Sequence, residues 1–100
     1  MVTSDHGVSF SPGGLFKGLS DDNAADLMGV PLLIKLPGAS AGTVDARNVE
    51  TIDVLPTIAD MLDLRLPWPV DGRSLLASGA PDRPLKRLYF FDGRHRTFPA

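Results

Sequence analysis

The middle of the chain carries a near-continuous apolar run, Val30-Pro31-Leu32-Leu33-Ile34-Lys35-Leu36, which Pro37-Gly38 brings to a stop. A run this short and uniform predicts a strand over about 30–36 buried on both faces, not an alternating surface strand. Pro31 fits only its first residues, because proline cannot donate to a sheet ladder. A strand buried on both faces needs neighbours on either side, and few segments here qualify. Val2-Thr3 reads as the remnant of a strand, and Leu88-Tyr89-Phe90-Phe91 as a short aromatic one. The expected sheet is therefore wider than this chain provides.

The clearest helix is predicted over about 53–64. On a helical wheel Asp53, Thr57, Asp60 and Asp63 share one side, and Leu55, Ile58, Met61 and Leu62 fall on the opposite arc, as a sheet-covering helix requires. Asp53 is placed to cap or complement the helix N-terminus, and Pro56 is tolerated in a first turn. A shorter helical turn is expected around 23–28, before Gly29. Leu66-Pro67-Trp68-Pro69 must be an extended connector, with Trp68 packed against the core. Arg73 is expected to fix the Asp71-Gly72 turn. Strand, long loop, buried strand, amphipathic helix and final strand define an α/β segment.

With 100 residues, 43% hydrophobic and 22% charged, the chain is expected to form one modest core, a single partial domain over 1–100. No apolar run approaches the ~20 residues of a membrane span, and no signal-peptide pattern opens the chain, so the fragment is expected to be soluble. Cysteine is absent, which excludes disulfides and thiolate chemistry within these residues. The net charge is −2, but residues 81–100 form a basic tail containing Arg83, Lys86, Arg87, Arg94 and Arg96. Such a tail reads as a solvated face, and no nucleic-acid partner is expected. His95 reads as a surface histidine.

The chemistry-bearing feature is the loop 4–7, Ser4-Asp5-His6-Gly7. An Asp carboxylate is ionised at neutral pH, and neutral imidazole is the commonest nitrogen ligand for a divalent metal. Neighbours on a strand point to opposite faces, so Asp5 and His6 can reach one ion only where the strand ends. Gly7 permits the sharp turn this needs. Loops at the carboxyl ends of strands are where open α/β sheets place their ligands. An Asp-His-Gly turn also arises by chance, and two ligands do not complete a metal site. Residues 8–23, with Pro12-Gly13-Gly14, form a long loop over this pair.

The order of these features resembles a known family. Val2-Thr3-Ser4-Asp5-His6-Gly7, then Val30-Pro31-Leu32-Leu33-Ile34, then Thr51-Ile52-Asp53-Val54-Leu55-Pro56-Thr57-Ile58-Ala59-Asp60-Met61-Leu62, then Asp71-Gly72-Arg73-Ser74-Leu75-Leu76 is similar to the C-terminal part of a bacterial sulfatase-family domain, within the alkaline-phosphatase-like superfamily. The resemblance implies an alkaline-phosphatase-like sandwich around a mainly parallel sheet. It matches Asp5 and His6 to the family's late pair of metal ligands. The nucleophile and the earlier acidic ligands are expected upstream, since Cys/Ser-x-Pro-x-Arg is absent and Ser11-Pro12-Gly13 does not match it. No serine here is assigned as nucleophile.

The resemblance further implies one divalent metal, with calcium, manganese and zinc as the alternatives; imidazole at position 6 makes manganese or zinc more plausible on ligand-softness grounds. Lys17 is the residue that could contact sulfate, although the sequence around it departs from the family's Gly-Lys-Gly-rich pattern; Lys35, at the end of the apolar run, is the weaker choice. The implied substrate is a sulfate ester, or a phosphate ester in the phosphoryl hydrolases and phosphoglycerol transferases of the same superfamily. A parent that is extracytoplasmic or membrane-anchored is compatible with this. The third reading is a truncated remnant without catalysis, and the isolated chain is expected to be inactive.

Overall fold

A computed structural model describes residues 1–14, 16–20, 22–79, 82–90 and 92–99. Leu15 and Asp21 of the long loop, Phe91 of the expected last strand, and Ala80, Pro81 and Ala100 lie outside the described residues. The chain divides into two compact units, 1–40 and 41–100. Its class is mixed α/β.

In the first unit, β1 (Val2–Thr3) pairs antiparallel with β2 (Leu32–Leu33), in the register Val2 to Leu33 and Thr3 to Leu32. The strand expected over 30–36 is thus paired for two residues on one edge only, and Leu33 is 64% exposed instead of buried. The reason is local: β1 supplies the only ladder bonds to this run among the described residues. The turn that ends the run is closed by Gly38, at φ 73°, and by the Lys35 ammonium donating to the Ala39 carbonyl. Between the strands, α1 (Ala24–Met28) forms as predicted, before Gly29. The loop 8–23 is tied down at both ends: Ser9 Oγ donates to Asp26 Oδ2 at 3.0 Å, Asn23 Oδ1 accepts the Ser20 N–H at 2.7 Å, and Asn23 Nδ2 donates to the Gly18 carbonyl at 2.8 Å.

In the second unit, a 3₁₀ turn (Thr51–Asp53) leads into α2 (Val54–Met61). Glu50 and Asp53 form a reciprocal capping box, with the Glu50 N–H donating to Asp53 Oδ2 at 3.0 Å. The helix stops at Met61, short of the expected 64, in a Schellman turn: the Leu64 N–H reaches the Ala59 carbonyl at 2.8 Å across Asp63, whose φ is 52°.

The burial of α2 departs from the one its sequence predicts at the first half of its polar side, while Asp60 and Asp63 stay exposed and Met61 is half-buried. Asp53 and Thr57 are fully buried, whereas Leu55, Ile58 and Leu62 are exposed, Leu62 at 61%. Directional bonds account for this. Thr57 Oγ1 donates to the Asp53 carbonyl at 2.6 Å and accepts the Leu75 N–H at 3.0 Å, while Asp53 Oδ1 accepts the Arg73 N–H at 2.8 Å. The segment 71–75 therefore lies along the polar side of the helix, and Gly72 is backed onto the Ile52 carbonyl so closely that a Cβ there would overlap it.

The basic tail is more ordered than a solvated run. β3 (Leu85–Tyr89) and β4 (His95–Pro99) make an antiparallel hairpin, with Leu85 opposite Pro99 and Tyr89 opposite His95. The charges at Lys86, Arg87 and Arg96 hid it, since they read as a solvated face and not as strand. Both strand pairs described are antiparallel.

Candidate functional site

Asp5 and His6 sit directly after β1, in the loop the sequence predicts for them, and one side chain and one backbone group fix their shape. Ser4 Oγ donates to the His6 carbonyl at 2.7 Å, and the His6 N–H donates to Asp5 Oδ1 at 3.0 Å. The loop is then anchored by Gly7, whose N–H donates to the Leu27 carbonyl of α1 at 2.9 Å. Gly7 is needed for a reason other than a sharp turn: a Cβ there would overlap the Asp26 carbonyl oxygen. Close approach to α1, and not a left-handed backbone, is what excludes a side chain at this position.

His6 Nδ1 lies 2.7 Å from the Gly7 carbonyl, which can only accept, so Nδ1 carries the hydrogen. In the neutral ring this leaves the Nε2 lone pair free, the arrangement in which a backbone carbonyl orients a ligating imidazole. Nε2 lies 3.9 Å from Asp5 Oδ2. Two donors bound to one ion at ~2.0–2.2 Å each can be at most ~4.4 Å apart, so the pair is close enough to share a metal. The Asp5 side chain is 88% exposed and that of His6 43%, so both are accessible. Nearby His6 lowers the Asp5 carboxyl below its ordinary value, the backbone N–H groups of Asp5 and His6 add to this, burial opposes it weakly, and Lys17 contributes from across the loop. An Asp carboxylate is ionised at neutral pH, the form a metal needs.

Lys17 is exposed and within electrostatic reach of Asp5, so the structure brings it into the neighbourhood of the pair. Lys35 is occupied by its own turn. Among the described residues no group of three or more His, Cys, Asp or Glu side chains could hold a metal, so Asp5 and His6 remain a pair.

The other residues weighed in the sequence take structural places. Arg73 donates its backbone N–H to Asp53, which ties the 71–73 turn to α2. Trp68 is 59% exposed and does not pack into a core, because the prolines on either side keep the connector extended and the ring outside. His95 is exposed on β4 with its ring 5.9 Å from that of Tyr89. Sequence reasoning did not find Ser4 or Asp26 as the groups that shape and seat the 4–7 loop; the one available signal was Gly7, whose role is close approach to α1 and not a sharp turn.

The extracellular sulfatase SULF-1 homolog of Drosophila melanogaster is 42% identical over 76 residues, 76% of this chain and 7% of the relative. The multifunctional alkaline phosphatase superfamily protein PehA of Trinickia caryophylli is 37% identical over 100 residues, 94% of this chain and 19% of the relative. No family model matches the chain, and no solved structure does. The chain is a sulfatase/alkaline-phosphatase-like segment, and it spans a small share of the length of these curated relatives. No helix among the described residues is long and apolar enough to cross a membrane.

Proposed function

We propose that this chain is the metal-pair segment of a metal-dependent hydrolase of sulfate esters. The observation that carries the reading is the His6 ring held by the Gly7 carbonyl with Nε2 free, 3.9 Å from an ionised Asp5 carboxylate. In the parent, Asp5 and His6 supply two of the ligands to one divalent ion, with calcium, manganese and zinc as the alternatives and an imidazole nitrogen favouring the latter two. Such an ion, when bound, offsets the negative charge that builds on a sulfuryl or phosphoryl oxygen during attack. Lys17 is the residue assigned in this reading to contact the sulfate group, its exposed ammonium lying within electrostatic reach of Asp5. The nucleophile and remaining ligands belong to the rest of the parent's sandwich, built around a mainly parallel sheet. The isolated chain, lacking these, is inactive.

A second reading in the same superfamily is favoured by two points: the nitrogen ligand at position 6, and the similarity to a multifunctional alkaline phosphatase superfamily protein over 94% of the chain. In that reading the parent is a phosphoryl hydrolase or transferase acting on a phosphate ester. The third, a truncated remnant with no catalytic parent, predicts no activity in any extended form.

The test uses the longest open reading frame containing this segment, expressed as wild type, His6→Ala and Asp5→Asn. Elemental analysis of the purified proteins is expected to find one divalent ion per chain in the wild type and loss of most of it in both variants. Unchanged metal content and rate in His6→Ala would sink the assignment. Parallel assays on an aryl sulfate and an aryl phosphate diester decide between the first two readings, faster sulfate hydrolysis supporting the first. For the isolated chain, titration calorimetry showing tight one-to-one metal binding would contradict the view that two ligands are not a complete site.

A further inference from the structure

The second unit contains an open groove of about 560 Å³ that no part of the reading above uses. Three of its lining residues, Leu85, Arg87 and Tyr89, alternate along β3, and that strand's exposure follows the same alternation. They therefore project from one face of the hairpin, with Lys86 and Leu88 on the other. Ile52, Asp71 and Pro84 contribute to the remaining lining, with Glu50 and Arg83. The size lies within the ~300–1,000 Å³ of small-molecule sites.

Its polar groups fall into two sets. Arg83 is committed, forked onto the buried Asp53 carboxylate and 3.9 Å from Glu50. Asp71 and Arg87 are not: among the described residues neither side chain makes a hydrogen bond or ion pair. One uncommitted acceptor and one uncommitted donor thus face a groove whose aromatic member, Tyr89, is 67% exposed. Two carboxylates balance two guanidiniums in the lining, and the Asp53 charge behind Arg83 leaves no surplus of positive charge for an anion. A purely apolar ligand would strip water from Asp71 and Arg87 without replacing it.

We propose that this groove binds a short neutral oligosaccharide. Tyr89 supplies a flat face for a sugar ring, with its His95 neighbour 5.9 Å away holding that ring's position; Asp71 accepts from paired hydroxyls and Arg87 donates to them. Ile52, Leu85 and Pro84 contact the less polar face of the sugar. The proposal neither uses nor presupposes the metal loop, so its failure and that of the hydrolase reading are separate events.

The test is a titration of the ¹⁵N-labelled 100-residue chain with cellotriose, maltotriose and chitotriose, followed by amide chemical shifts. At least one of the three is expected to give saturable shifts at residues 50–52, 71–72 and 85–89. Tyr89→Ala is expected to weaken that binding by about fivefold, with Tyr89→Phe retaining most of it. Asp71→Asn weakens it also, and because both side chains are exposed the unperturbed spectrum elsewhere reports that the fold is kept. Absence of saturable shifts with all three sugars overturns the proposal. So does binding indifferent to Tyr89→Ala, or tighter binding of a polysulfated trisaccharide than of any neutral one.

Discussion

Arg83 grips Asp53 with both arms of its guanidinium, Nη1 at 2.5 Å from Oδ2 and Nη2 at 2.8 Å from Oδ1, and the carboxylate so held is fully buried. Burial is the largest single influence on that carboxyl and pushes its pKa up, but Arg83 with the backbone N–H groups of Arg73 and Glu50 outweighs it and holds the carboxyl below its ordinary value. The same bonds raise the Arg83 guanidinium. The pair joins the N-terminus of α2 to the start of the hairpin, elements 30 positions apart.

A depressed carboxyl stabilises the fold above its unfolded-state pKa of ~3.9, and that contribution is lost as pH falls through the lower folded value. The stability of unit 41–100 is therefore expected to fall steeply below about pH 4. Arg83→Ala leaves the buried carboxylate without its counter-charge and is expected to cost about 3 kcal/mol at neutral pH. Asp53→Asn should flatten the acid limb. Denaturant unfolding of the three proteins between pH 3 and 7 checks this, and parallel acid limbs in wild type and Asp53→Asn would contradict it.

Thr57 matters through its hydroxyl more than its methyl. Thr57→Val keeps the shape but leaves the Leu75 N–H without its acceptor, with an expected loss of about 1–3 kcal/mol. Thr57→Ser retains the hydroxyl and is expected to lose less, the cost of one buried methyl at most. Equal loss in the two variants would show that packing, not bonding, decides this position.

The turn after α2 places Asp63 at a φ of 52°, where glycine has no steric penalty. Asp63→Gly is expected to raise stability by roughly 0.5–1 kcal/mol, because the native conformation already suits it. A lower midpoint in denaturant would contradict the turn geometry.

Gly7→Ala forces a methyl into the space of the Asp26 carbonyl oxygen. The expected result is displacement of the 4–7 loop from α1, seen as lost exchange protection of the Gly7 amide. In a metal-binding parent, affinity falls with Asp5 and His6 both intact. Protection equal to the wild type would rule out the contact.

Much of this arrangement was legible in the chain. Pro37-Gly38 and Gly29 marked stops where the backbone has them, because glycine and proline act locally. The helix at 54–61 was legible in position but not in orientation. Its wheel separates Leu55, Ile58 and Leu62 from Asp53 and Thr57, and hydrophobicity alone sends the first set inward. What decided otherwise were partners at positions 73, 75 and 83, at separations that no local pattern encodes. The hairpin at 85–99 was obscured for a related reason: its charged side chains look solvated in sequence, yet the backbone beneath them pairs. Lys17 stood out only through the family resemblance, and its reach toward Asp5 depends on the path of a long loop. The Gly7 requirement was the least readable, since a close approach leaves the same residue behind as a tight turn.

The scarcity of buried aliphatic side chains has a calorimetric consequence. Ala24 and Ala59 are the buried hydrophobic residues among those described, and the larger aliphatic side chains of α2 remain in contact with water. Unfolding this chain would newly hydrate little oily surface, which makes its heat-capacity increment small for its length. Its stability curve against temperature is then shallow and broad, resistant to cold and melting gradually, the signature of a fold fastened by directional bonds more than by the exclusion of water.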